Sequence, residues 1–206
     1  MSTKKKNSLW GGCLVVMLAV TGIERAGAET LEIQANILAG TCDVFLAEGE
    51  NQPGSDTTLS GTLDPVYTGL LKSGGVWNVK PYTLTVRGCK GGADATQAAS
   101  FSVSGETVAG NDRLFRSVSS AGDPNIGIAL SNGSYSSFIP WPAGGGEILE
   151  KDHPYPLSGV AVGTMPGEES MQSIQVGVSC GSSTDCPVTL TDGDITAVMT
   201  FTFAWQ

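Results

Sequence analysis

The stretch from Asp194 to Gln206 alternates apolar and polar positions. Ile195, Ala197, Met199, Phe201, Phe203 and Trp205 fall on one side of a period of two, and Thr196, Thr200 and Thr202 fall on the other. The pattern predicts a half-buried β-strand entered through a turn at Thr191 to Gly193. No later segment can pair with it, so its apolar face and open edge are expected to need a neighbour from another molecule.

The same alternation recurs upstream. Leu31, Ile33, Ala35 and Ile37 alternate with Thr30, Glu32, Gln34 and Asn36, predicting a strand that continues after Gly40 into Cys42 to Leu46. A polar loop is expected from Ala47 to Gly61 around the Pro53-Gly54 turn, followed by an apolar group from Val66 to Leu71. Between Val76 and Cys89, Tyr82, Leu84 and Val86 oppose Thr83, Thr85 and Arg87, with Pro81 confined to a strand start or an edge. Short strands are predicted at Phe101 to Gly105, Asn125 to Leu130, Tyr155 to Gly163 and Ser173 to Cys180, with Asn132-Gly133 as a tight hairpin turn. Strands at this spacing, without a convincing helix, internal repeat or long linker, predict a single all-β domain, most economically a β-sandwich.

Composition agrees with that class. The 206 residues suffice for one cored domain, and 28 glycines with only 15% charged residues suit many tight turns between short strands. The front of the chain is a different material. Lys4, Lys5 and Lys6, an apolar run from Leu9 to Ile23 and the small residues Ala26-Gly27-Ala28 predict an export signal over residues 1–28 and a mature domain over 29–206. Its removal takes the formal charge from -9 to about -12. A chain this acidic argues against nucleic acid or an anionic membrane surface as partner.

Four cysteines remain in the predicted mature chain. In an exported protein they point to disulfides before metal, since their spacings lack the paired C-x-x-C of zinc sites. Of the three pairings they allow, Cys42 with Cys89, each beside a predicted strand, and Cys180 with Cys186 across a short loop are favoured.

These residues, in this order, resemble a fimbrial subunit of the chaperone–usher pathway, similar to type 1 pilins. The likeness covers nearly all of the predicted mature chain. It is carried by Cys42 just after the first strand, by Cys89 closing Tyr82-x-Leu84-x-Val86, by Phe101-x-Val103-x-Gly105 and by Asn125 to Ile128. The ending from Gly193 through Phe201 and Phe203 to Trp205 completes it, with Trp205 where the family usually has Tyr. The resemblance implies an incomplete immunoglobulin-like β-sandwich lacking its last strand, completed by a donor strand from another chain. It implies that Ile195, Ala197, Met199, Phe201, Phe203 and Trp205 face first a periplasmic chaperone and then, at an outer-membrane usher, the donor of a neighbouring subunit. It also implies the Cys42–Cys89 bridge; the Cys180–Cys186 pair departs from the usual pattern. Export through the periplasm to a cell-surface fimbria and a part in adhesion follow as expectations.

The front end departs from the family more informatively. Only Glu29 to about Gln34 precede the body of the domain, about 20 Å at roughly 3.3 Å per residue, with Leu31 and Ile33 as the candidate donor residues. A subunit that receives a strand but gives little belongs at the tip of a fibre.

Catalytic and cofactor chemistry is not expected. His153 stands alone between Asp152 and Pro154, no nucleophile elbow, metalloprotease or phosphate-loop motif occurs, and Asp192-Gly193-Asp194 is explained by a turn. Asn132-Gly133-Ser134 fits a glycosylation acceptor but is explained by the hairpin. Trp77, Tyr135, Trp141 and Tyr155 are candidates for stacking on sugars. Trp141, held between two prolines, is the best of them for a tip adhesin that binds a host receptor glycan through surface loops.

Overall fold

The computed structural model describes residues 29–36, 42–90, 94–135, 137–142 and 147–206. The predicted leader and cleavage site, and Ile37, lie outside these residues. Twelve strands are present among them: β1 (Glu29–Asn36), β2 (Asp43–Glu48), β3 (Thr58–Leu63), β4 (Val76–Arg87), β5 (Ala99–Gly105), β6 (Thr107–Val108), β7 (Asn111–Phe115), β8 (Gly127–Ser131), β9 (Phe138–Ile139), β10 (Tyr155–Pro156), β11 (Ser170–Ser179) and β12 (Thr196–Trp205). One four-residue helix, α1 (Thr68–Leu71), precedes β4.

The strands form two sheets. One has the order β10-β5-β12-β1-β3; the other runs β2-β4-β11-β8-β7-β6, with β9 added to β4. Their inner faces make one core, because residues two apart on a strand share a face. Leu31, Ile33, Phe101, Val103, Met199 and Phe201 from the first sheet join Leu46, Tyr82, Leu84, Ile128, Ile174 and Val176 from the second. The result is an all-β sandwich.

The outer face of the second sheet is also covered. Every residue of β8 is buried, with Ile128 and Leu130 in the main core and Ala129 in a smaller cluster with Val76, Val79, Val108, Leu114, Ile139 and Ile148. A strand without a polar face needs cover on both sides, and the chain between β8 and β10 supplies it.

Four expectations are corrected. The strand predicted to run from Leu31 through to Leu46 is two strands in opposite sheets, β1 and β2. The predicted polar loop contains β3, whose Leu59, Gly61 and Leu63 point inward while Thr58, Ser60 and Thr62 are exposed. Asn132-Gly133 does not turn a hairpin; Asn132 instead exchanges hydrogen bonds with Glu147, its Oδ1 accepting at 2.8 Å. Pro81 sits inside β4, where it is tolerated because it falls between the residues paired to β9 and those paired to β2, a gap in that side of the ladder.

Candidate functional site: the strand slot beside β12

The inward face of β12 is the face read from the sequence. Ile195, Ala197, Met199, Phe201 and Phe203 are at most 3% exposed, and Trp205 is half-buried with its ring edge-on to Phe203 at 5.4 Å. On one edge β12 pairs antiparallel with β5, from Met199 opposite Gly105 to Trp205 opposite Ala99. The other edge is occupied by β1. β1 runs parallel to β12, with Leu31 opposite Ala197 and Ile33 opposite Met199, and antiparallel to β3, with Leu31 opposite Gly61 and Ile33 opposite Leu59. The expectation that β12 finds no partner within its own chain is thereby corrected: its partner lies before it in sequence, at the front of the domain.

Leu31 and Ile33 are each 1% exposed, so the two candidate donor residues lie in the slot of their own molecule. Burial of each side chain contributes about 1.5–3 kcal/mol relative to exposure. The outward side chains are polar: Glu32 and Gln34 are half-buried, and Gln34 Nε2 donates to Glu32 Oε1 at 2.7 Å.

Two glycines set the slot's dimensions. A Cβ on Gly61 would fall 2.5 Å from Tyr82 Oη, so the bare backbone of β3 is what admits the Tyr82 ring beneath it. That hydroxyl is buried and has no hydrogen-bond partner among the described residues. Burial, followed by the charge of Glu48, pushes the phenol pKa up to about 12. At the head of β12, a Cβ on Gly193 would lie 2.7 Å from Gly122 Cα, so two chain segments touch there backbone to backbone.

The entry to β12 is held by a polar network. Arg116 donates to the carbonyls of Ile126, Ser120 and Gly122 at 2.9, 3.2 and 2.7 Å. Asp123 accepts from the N–H and Nδ2 of Asn125 and, at 3.1 Å, from the N–H of Thr191. Burial alone would raise the Asp123 pKa, but these hydrogen bonds and the Arg116 charge together hold it below the usual carboxylate range. Burial lowers that of Arg116 despite the neighbouring Asp123. The loop after β7 is thus tied to the segment that leads into β12.

Beyond the first residue of β1 the slot opens into a cavity of about 550 Å³. Pro65 and Val66, which follow β3, line it together with Leu71, Ile126, Gly193 and Ile195, and Tyr67 stands at its rim 81% exposed. The Cys180–Cys186 disulfide braces this end, both sulfurs lying 3.2 Å from the Leu71 carbonyl oxygen. Cys42 and Cys89 are bonded at the opening of β2 and just past β4, tying the two strands at their paired ends.

No family model matches the sequence, and no curated protein matches it. Solved structures do. The P pilus rod subunit PapA superposes with a TM-score of 0.51 at 15% identity, over 81% of this chain and all of that one. The chain has a pilin fold. A chaperone–usher pilus structure concerned with rod uncoiling is also similar, with a TM-score of 0.49, 13% identity, 94% of this chain and all of that one covered.

On this pilin fold the remaining sequence-predicted residues, Asp192 excepted, lie apart from the slot and its cavity. His153 is exposed, its ring edge-on to Tyr155 at 4.9 Å. Tyr155 is buried, and its hydroxyl accepts from the Glu150 N–H. Trp77 donates from Nε1 to the Gly74 carbonyl and packs on Phe138 with ring centroids 4.5 Å apart. Tyr135 and Trp141 pack against the outer cluster. Asp192 lines the cavity. Sequence reasoning missed β3, the Gly61–Tyr82 contact and the Arg116–Asp123 network. Of these only β3 left a signal, the alternation Leu59-Ser60-Gly61-Thr62-Leu63.

Proposed function

We propose that this protein is a structural subunit of a bacterial surface fibre, joined to its neighbours by a strand of one chain lying in the slot between β12 and β3 of the next. The observation that carries the reading is the slot itself. It is walled by Ala197, Met199 and Phe201, and it is filled by a segment joined to the rest of the described chain only through residues 37–41. Any extended segment with alternating apolar side chains meets the same requirement. One longer than β1 gains further burial in the cavity lined by Leu71 and Ile195.

Under this reading residues 1–28 direct export and are removed. A periplasmic chaperone guards the slot, an outer-membrane usher hands the subunit on, and no catalysis or cofactor is involved. The short front end, with Leu31 and Ile33 as its inward anchors, favours a minor position at the fibre tip and a part in adhesion. The test is recovery of the tagged chain in fibres sheared from the surface of its native cell, with immunogold label at fibre ends. Absence from the sheared fraction overturns the fibre reading, and label along the shaft overturns the tip position.

A second reading, an adhesin for a host glycan, is favoured by an open polar cleft of about 430 Å³ where Trp141 stands beside Asn111, Asp112, Arg113, Glu150 and Asp185. Loss of glycan-array binding in Trp141→Ala with folding intact supports it; unchanged binding removes Trp141 from the site.

A further inference from the structure

We infer that β1 is a resident plug: in the free protein Glu29–Asn36 occupies the slot of its own molecule, holding the chain as a monomer closed to any incoming strand until β1 is displaced. The inference rests on the reading that the slot receives a strand from another chain.

Four observations converge on it. First, the slot admits one strand. β12 has β5 on its other edge and β1 on this one, so an incoming strand and β1 exclude each other. Second, the closure is complete along the paired length. β1 bonds to neighbours on both sides, puts Leu31 and Ile33 into the core at 1% exposure and turns the polar pair Glu32 and Gln34 outward. The monomer therefore presents no apolar edge at β12 on which a second copy could aggregate.

Third, the plug is removable. Most internal strands are held by a connection at each end, but β1 is joined to the rest of the described chain only through residues 37–41. Its pairing with β12 is the one parallel pairing among the described strands, and the crossover it requires is the whole of the intervening domain, because it brings the first described strand beside the last. With residues 1–28 removed, as proposed above, β1 is a terminal segment, and such a segment opens locally without unfolding the rest. Fourth, removal has a defined consequence. β3 reaches the first sheet only through β1, so with β1 out the sheet divides into β10-β5-β12 and a detached β3. Whatever replaces β1 must bridge both edges, as β1 does. The plug is thus an autoinhibitory contact: it keeps the free subunit soluble by filling the assembly site.

The test locks the plug from outside the core. Glu32 and Val198 are opposite each other on the outward face, with Val198 41% exposed, so a disulfide in Glu32→Cys/Val198→Cys leaves the inward packing untouched. After oxidation, non-reducing gels, light scattering and mass-spectrometric mapping are expected to show an intramolecular crosslink in a monomer. A fluorescein-labelled peptide with the sequence of Glu29–Asn36 probes the slot. It is expected to exchange slowly into the unlocked chain, at least tenfold faster into Leu31→Ala/Ile33→Ala, and not at all into the locked chain. A crosslinked dimer or ladder, or peptide uptake by the locked chain, overturns the plug. In cells, entry of the locked chain into fibres as readily as the unlocked one overturns the plug and leaves the fibre reading standing. If the unlocked chain never enters fibres while the crosslink is intramolecular and blocks the peptide, the plug stands and the fibre reading falls.

Discussion

Ile33 of β1 lies opposite Met199 of β12, and both are sealed from solvent at 1% and 0% exposure. The pair joins the front of the domain to its end, and it is where the sandwich is closed. Truncating either side of it tests how much of the fold depends on the slot being filled. Ile33→Ala and Met199→Ala are each expected to cost about 2–5 kcal/mol in urea unfolding, through lost burial and the cavity left behind. Gln34→Ala, on the half-buried outward face of the same strand, is expected to stay within about 0.5 kcal/mol. Equal effects at positions 33 and 34 would mean that β1 does not rest in the core.

Tyr82 is predicted to be better without its hydroxyl. The oxygen is buried beneath Gly61 without a partner among the described residues, and a buried polar group left unsatisfied costs about 1–3 kcal/mol. Tyr82→Phe should therefore be neutral to stabilising at pH 7. Because the folded phenol pKa is raised to about 12, the associated stability is fully present below the unfolded value of about 10. It is lost as pH rises through the folded value. Alkaline unfolding curves should lose that slope in Tyr82→Phe, and an unchanged slope would refute the assignment.

Asp123 should make the protein sensitive to acid. Its folded pKa is depressed by the Asn125 and Thr191 hydrogen bonds and by Arg116, against the upward push of burial. Its contribution is present above the ordinary Asp value of about 3.9 and is lost as pH falls through the lower folded value. Asp123→Asn is expected to lose stability at pH 7 and to show a shallower decline between pH 5 and 2, measured by thermal unfolding. A variant with wild-type stability and acid slope would remove Asp123 from the network.

The two disulfides should differ in weight. Cys42–Cys89 spans 47 residues and Cys180–Cys186 spans 6. The loop-closure model then gives about 4 kcal/mol for the first and about 2 kcal/mol for the second. Paired Cys→Ser variants compared by denaturant midpoint are expected to fall in that order, and the reverse order would show that local bracing at Leu71 outweighs chain entropy.

Much of the architecture was legible in the residues. Alternation located β12 and the inward residues Ile195 to Phe203, and it located β4, β5 and β11 to within a few residues, because a strand buried on one face writes its period into the sequence. It failed at β3, which carries a glycine at the central inward position, and past Pro156, where the strand predicted to reach Gly163 ends after two residues; β8 it located even though that strand is buried on both faces. The Asn132-Gly133 dipeptide, a hairpin signal by composition, was overridden by the segment that returns to pair Ser131 with Ile148.

The sequence by itself therefore determined the class of the fold, the apolar faces and the existence of a strand at each end of the domain with inward residues to bury. Only the tertiary structure decided which strand each one met. Pairing is made by backbone N–H and C=O groups that every residue carries alike, so the side-chain pattern of Leu31 and Ile33 announces a strand without naming its partner. The separation of β1 and β2 into opposite sheets left β1 free to lie between β12 and β3. That placement turned an end strand with an expected open edge into the closed centre of its sheet.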